Sequence, residues 1–161
     1  MAKILGVIAF VLLIFLPVTL IIAGQLGLLK GSRPNDLGLK EGLLKPPIAK
    51  SWNVVSSHAE KQAHTDYHTI APLKYSGDAK EAFTKLETIV RAMDGASIIT
   101  SQGSYLYAEY QSSLFKFVDD VEFVLDESAG VIHMRSASRL GRKDFGANRA
   151  RLEAIRLAMG G

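Results

Sequence analysis

The chain contains no cysteine. A disulfide framework, a thiol nucleophile and any cysteine-ligated zinc or iron–sulfur site are thereby excluded, although the compartment is not identified, because a cysteine-free chain is stable in oxidising and reducing surroundings alike. Charge is also absent over a long stretch: no charged side chain occurs between Ile4 and Leu29, and Thr19 is the sole polar side chain from Ile4 to Ala23. About twenty such residues, rising ~1.5 Å each, match the hydrocarbon core of a bilayer. A globular core of this size rarely needs a helix that is apolar all round. Residues 1–29 therefore read as a transmembrane anchor, with a kink at Pro17. A cleaved signal peptide competes with this reading, since Lys3 supplies a short basic region and Ile21-Ile22-Ala23 a weak cleavage site. The apolar run is long for a signal peptide and lacks the usual pair of small residues, so retention is expected.

Other absences narrow the chemistry. There is no internal repeat and no low-complexity tract. Ser56, Ser57, Ser136 and Ser138 lack the flanking glycines of a nucleophile elbow. His58, His64 and His68, with Asp66, resemble a ligand set only in spacing, because no helix or strand geometry supports it. No metal and no cofactor is expected. Tyr105, Tyr107 and Tyr110 have no basic residues interleaved, and so read as sheet surface and core edge instead of a base-stacking platform.

The sequence pI of about 9.2 invites a nucleic-acid reading until the charges are located. Five Lys/Arg against Asp36 and Glu41 lie between Lys30 and Lys50, whereas from Ser51 onward thirteen basic residues meet fourteen acidic ones. The basic excess is juxtamembrane and suits anionic lipid headgroups, with each nearby Lys or Arg worth roughly 1 kcal/mol. No nucleic-acid partner is expected. Counting Lys30, Arg33 and Lys40 after the helix against Lys3 and the amino terminus before it, the positive-inside rule places the rest of the chain in the cytoplasm.

Residues 30–57 are dense in Gly, Pro and Lys, with Arg33-Pro34-Asn35-Asp36 and Pro46-Pro47, and read as a linker lying over the domain without helix or strand. The remaining span, 58–161, reads as one α+β domain. A helix is expected from Ala79 to Met93, with Asp78 as N-cap, Glu81 completing a capping box, and Phe83, Leu86, Val90 and Met93 as its apolar stripe. A second is expected from Phe145 to Met159, with Asp144 as N-cap and Phe145, Leu152, Ile155 and Met159 facing inward. Strands are expected at 68–75, 96–100, 105–111, 114–125 and 131–138. Short turns between consecutive strands imply a mainly antiparallel sheet, with two helices on one face. A four-residue loop at Glu127–Gly130 sets Leu125 opposite Ile132, Phe123 opposite Met134 and Glu122 opposite Arg135, leaving Asp120, Glu122, His133 and Arg135 on the polar face.

The densest polar constellation comprises Asp119, Asp120, Glu122, Arg135, Ser136, Ser138, Arg139, Asp144, Asn148 and Arg149. Arg149 shares the inward stripe of the second helix, and Asp119 is the candidate acceptor for it. Two interpretations are open: an internal ion-pair network fixing helix to sheet, or an anion pocket in which Arg135, Arg139 and Arg149 grip a phosphate or carboxylate. Asp119 and Asp120 point to opposite faces of one strand and so do not form a catalytic pair.

These residues resemble a family. Arg33-Pro34-Asn35-Asp36-Leu37-Gly38, Asn53-Val54-Val55-Ser56-Ser57, Phe117–Phe123, Arg135–Gly141 and Asp144–Arg149 together look like domain of unknown function 1499, over about residues 33–158. The resemblance implies bacterial or plastid relatives, often with an N-terminal hydrophobic segment, and no assigned chemistry. It also implies relatives with cysteines around the segment that here reads Ala49–Val54, hence an oxidising compartment. That favours the periplasmic side of a bacterial inner membrane over the cytoplasm. The expected function is a single-pass, membrane-tethered binding or accessory module without catalytic residues. Its expected partners are the lipid bilayer and either a membrane protein complex or an anionic ligand. The rival is a hydrolase-like or lipid-modifying enzyme with Asp120 or Glu122 as base beside Arg135.

Overall fold

A computed structural model describes residues 1–48, 50–62 and 64–160. The uncharged stretch forms α1, Ala2–Gln25, continuous through Pro17. From Lys3 to Gln25 it is long and apolar enough to cross a membrane. Its apolar side chains, such as Leu5, Phe10, Leu13 and Phe15, are exposed over more than half their area, so this helix is no part of a protein core. A lipid-facing helix is apolar all round for the same reason.

A six-stranded antiparallel sheet follows: β1 (Val54–Ser56), β2 (Leu73–Lys74), β3 (Ala96–Gln102), β4 (Tyr105–Gln111), β5 (Val118–Asp126) and β6 (Val131–Ser138). The order across it is β1-β6-β5-β4-β3, and β2 pairs with β6 beside β1. The fold is α+β, with α2 (Ala79–Ala92) and α3 (Ala147–Met159) joining the same core as the sheet. The expected hairpin register is the observed one, Leu125 facing Ile132, Phe123 facing Met134 and Glu122 facing Arg135. A slip by one residue would put Phe123 on the polar face, which is why the hydrophobic pattern fixes it.

The core lies on one face only. Val55, Leu106, Ala108, Val121, Phe123, Ile132 and Met134 point from the sheet toward Phe83, Leu86 and Val90 of α2 and Leu152 and Ile155 of α3. Fully burying one such side chain is worth ~1.5–3 kcal/mol. Asp78 caps the start of α2 as expected, its carboxylate accepting from Glu81 N–H at 2.9 Å, but the Glu81 side chain does not return a bond to the Asp78 N–H, so the expected capping box is only half formed. After α2 the chain turns at Gly95, where a Cβ would stand 2.3 Å from the Gln111 carbonyl oxygen. Only glycine permits that approach of the two strands.

Four further expectations need correction. Residues 30–57 are not without regular structure, because Val54–Ser56 pairs with Arg135–Ala137 as β1; two β-branched residues in a row carry that strand despite the Pro- and Gly-rich run before it. Residues 68–75 do not form one strand, since Asp66–His68 is a 3₁₀ turn, Thr69 makes a single bridge to Ser56 and Leu73–Lys74 alone forms a strand. Pro72 has no N–H to give that ladder. Strand β5 starts at Val118 and not at Leu114, because Lys116 adopts φ 58° and closes a loop in which Ser112 N–H donates to the Phe117 carbonyl at 2.9 Å. Finally, α3 starts at Ala147. The Asp144 carboxylate accepts from Gly146 and Asn148 N–H at 2.9 and 3.1 Å, as a cap would. It does so across a left-handed turn at Phe145 and Gly146, which expels Phe145 from the expected stripe and leaves it 96% exposed.

Candidate functional site

Strand alternation divides the polar constellation between the two faces of the sheet. Asp119, Ser136 and Ser138 point toward α3, whereas Asp120, Glu122 and Arg135 point to the outer face. There the described residues between Lys30 and Asn53 run across the sheet as a strap, anchored by fully buried Leu44.

The outer cluster is an ion-pair network with two centres. Glu122, fully buried, accepts from Arg135 Nη1 at 3.0 Å, Tyr105 Oη at 2.9 Å and the Gly38 N–H of the strap at 2.6 Å. Arg135 spends its Nε on the Lys45 carbonyl at 3.1 Å. Asp120 accepts from Arg139 Nε and Nη2 at 2.6–3.1 Å and from Tyr107 Oη at 2.6 Å. Arg139 and Arg33 both reach Glu109, Arg33 from the strap. Charged hydrogen bonds of this type are about twice as strong as neutral ones. Burial works against the Arg139 charge, yet its carboxylate partners hold it protonated far above even the usual arginine range. Burial likewise pushes Glu109 up, but Arg139 and Arg33 hold its carboxyl below the ordinary value. Burial, together with acceptance by Glu122 and Asp120, raises the Tyr105 and Tyr107 phenols far beyond theirs.

Four cations, Arg33, Lys45, Arg135 and Arg139, balance four anions, Asp36, Glu109, Asp120 and Glu122, with Arg139 and Glu109 each pairing twice. Between strap and sheet lies a cavity of about 190 Å³, bordered by Lys45, Asp120, Arg135 and Arg139 and by the apolar Pro34, Ile48 and Val54. Arg135 Nη2 and Arg139 Nη1 make no hydrogen bond to the described residues, and neither is a fully buried atom left without a partner.

The inner cluster ties α3 to β6 and to the lead-in of β1. Fully buried Asn148 accepts from Ser136 Oγ at 2.6 Å and donates to the Asn53 carbonyl at 2.9 Å and to Ser138 Oγ at 3.0 Å. Asn53 in turn donates to the Gly141 carbonyl at 2.8 Å. Asp119 pairs with Arg151 at 2.6 Å, and so the expected Asp119–Arg149 pair is corrected. Arg149 donates instead to the carbonyls of Tyr67 and Thr69, at 2.8 and 2.7 Å. About half a turn of α3 separates the two arginines, so that Arg151 reaches over Tyr110, 4.7 Å from its ring, while Arg149 reaches the loop before β2. Asp144 binds the Tyr67 hydroxyl. Although burial pushes its carboxyl up, that bond and the Gly146 and Asn148 amides hold it below the usual range, while the Tyr67 phenol, buried and donating to it, is pushed up to about 12.

The histidines serve the scaffold. His58 Nδ1 accepts from Leu44 N–H at 3.0 Å and its ring stacks on His133 at 3.9 Å. Burial, with His133 adjacent, lowers the His58 pKa to about 4. His68 spans from Thr65 N–H to the Ser51 carbonyl. No cluster of three metal-ligating side chains occurs among the described residues.

Sequence reasoning missed Arg33, Tyr105, Tyr107, Glu109, Asn53 and Arg151. Glu109 lies directly opposite Asp120, so extending the hairpin test from β5–β6 to β4–β5 would have found it and the two tyrosines. Nothing local marks Arg33 as its partner 76 residues away.

Residues 46–159 match the family described as protein of unknown function (DUF1499), over more than half of the chain, which belongs to that family. No curated protein matches the chain, and no solved structure does.

Proposed function

We propose that this DUF1499-family chain is a membrane-tethered, non-enzymatic binding or accessory module. One observation carries the reading. The carboxylates of Asp120 and Glu122, best placed to act as bases, are each covered by three donor groups or more, counting both Arg139 nitrogens on Asp120. A general base needs a free lone pair within ~2.6–3.2 Å of the proton it takes. A carboxylate wrapped in this way holds structure together. The spare guanidinium nitrogens of Arg135 and Arg139 suit the cavity under the strap to a small anionic group, such as a phosphate or carboxylate, held bidentately. The same network lets the domain act as a rigid accessory part of a membrane complex. We place the anchor in a bacterial inner membrane and the domain on the periplasmic side, on the compartment that cysteine-bearing relatives imply.

The rival enzymatic reading draws on a single feature, the apolar border of the same cavity at Pro34, Ile48 and Val54, which suits a lipid-like substrate. Native mass spectrometry of the full-length protein, released from mild detergent, separates the two. A discrete copurifying anion or subunit, lost in Arg139→Gln, is the expected result. A substrate–product pair differing by the elements of water, shifted wholly to substrate in Asp120→Asn, would replace the module by the enzyme. Alkaline phosphatase fused to the C-terminus, active only in the periplasm, tests the orientation.

A further inference from the structure

The last turn of α1 does not end free of the domain. Gly24 is buried, and a Cβ there would lie 2.2 Å from the Phe115 carbonyl oxygen. Gln25 Nε2 donates to the Leu114 carbonyl at 3.3 Å. Farther on, a Cβ at Gly31 would meet Arg139 Cβ at 2.8 Å and the Leu140 side chain at 3.2 Å. The loop before β5 and the turn after β6 are thus both fixed where the apolar helix ends. Whatever surrounds Ile4–Ala23 is met again at these two loops.

Their side chains are unusual for a surface that faces water. Leu114, Phe117 and Leu140 are 39–50% exposed, and Phe145 is almost wholly exposed at φ 54°, a left-handed conformation that a bulky residue rarely adopts. Phe117, Leu140 and Phe145 border one groove of about 380 Å³. Lys143 borders the groove, Lys116 and Arg142 adjoin its lining residues Phe117 and Lys143 in the chain, and none of the three has a carboxylate partner among the described residues. The single tryptophan, Trp52, lies beside them with Lys143 Nζ 5.3 Å from its ring. Aromatic rings at the rim of an apolar patch, flanked by unpaired cations, are the composition of a membrane interface.

We infer that the domain docks on the bilayer through a second contact, in which Phe117, Leu140 and Phe145 enter the headgroup region of an anionic leaflet while Lys116 and Lys143 bind its phosphates. The inference rests on the tether reading of α1 and adds to it a fixed orientation. Phe145 acts as a wedge held out by the Asp144 turn. The strap and its cavity then face sideways along the membrane, near its surface.

The test uses the full-length protein in nanodiscs of phosphatidylcholine with roughly a third phosphatidylglycerol, enough anionic lipid to draw juxtamembrane cations. Both leaflets are accessible there, so orientation in the cell plays no part. Phe145→Trp is combined with Trp52→Phe to leave one tryptophan, at a site exposed enough that the exchange does not disturb folding. Its emission should be blue-shifted and quenched by about twofold or more with lipids brominated near the headgroup, an interfacial depth. Adding Lys116→Glu and Lys143→Glu should remove most of that quenching. Water-like, unquenched emission from a chain that still elutes with the nanodisc would overturn the docking and leave the tether standing. Elution apart from the nanodisc would overturn both.

Discussion

The two faces of the sheet in this protein are closed by different means. On the inner face, α2 and α3 cover Phe123, Leu106, Ile132 and Met134, and contact is mainly apolar, with directed bonds confined to the Asn148–Ser136 cluster and the Asp119–Arg151 pair. On the outer face the cover is a strap with almost no regular structure, in which Leu44 is fully buried, and the adhesion comes from carboxylates, guanidinium groups and phenols in fixed geometry. An irregular segment cannot bring a continuous apolar stripe to a sheet. Its backbone amides need acceptors, and Glu122 of the sheet and His58, just beyond β1, supply them. Buried charge here compensates for lack of helical cover.

The comparison can be broken at both faces. Phe123→Ala should cost the inner face about 3–5 kcal/mol through lost burial and the cavity it leaves, measured by chemical denaturation. On the outer face, Arg135→Ala leaves Glu122 buried with a neutral environment and should cost about 3 kcal/mol, the low end for a broken buried pair because Tyr105 and Gly38 still donate. The pair Glu122→Gln with Arg135→Met should recover most of that loss, since it removes both charges and keeps an acceptor for Gly38. Failure to recover would mean that the pair contributes net attraction and not merely mutual neutralisation.

Acid sharpens the contrast. The His58 pKa in the fold is about 4, against an ordinary 6.5. Between those values the unfolded chain takes up a proton that the folded chain does not, so stability falls as pH drops from 6.5 toward 4, by about 2–3 kcal/mol over the whole window. His58→Asn, which retains an acceptor for Leu44 N–H, should flatten that part of the stability profile; an unchanged slope would place the sensitivity elsewhere. The smallest effect is expected at Arg149. Its guanidinium serves two carbonyls and no buried anion, so Arg149→Ala should cost about 1–2 kcal/mol, as lost hydrogen bonds, and not the larger sum due to an orphaned charge.

How much of this was legible in the sequence depended on periodicity. The membrane-length helix, α2, the β5–β6 register and the α+β class all follow from apolar spacing, which is a local signal. Phe145 shows where the signal fails: its spacing with Leu152 fits a helical stripe, but the two amides held by Asp144 force a left-handed turn that spacing does not report. Arg149 and Arg151 show a second limit. They leave α3 on opposite sides of its inward stripe, Arg149 toward the loop before β2 and Arg151 toward the sheet, and which one meets Asp119 depends on a shift of half a turn. The strap shows a third, since a segment without periodicity still docks when its partners are single polar atoms scattered over the sheet. The motif segments at 33–38, 53–57, 117–123, 135–141 and 144–149 are far apart in the chain. The two clusters are built largely where they meet, joined by β4.

The strap also determines how the molecule bears load. The chain leaves α1 and crosses the outer face before it enters β1, so a pull along α1 that has freed Gly24 from Phe115, Gln25 from Leu114 and Gly31 from Arg139 falls next on Arg33–Glu109, then on Gly38–Glu122, then on Leu44–His58. These attachments lie in series, whereas the rungs joining β5 to β6 share force in parallel. Tension along α1 would therefore peel the strap away one fastening at a time and open the space beneath it while the sheet and its apolar core stay whole.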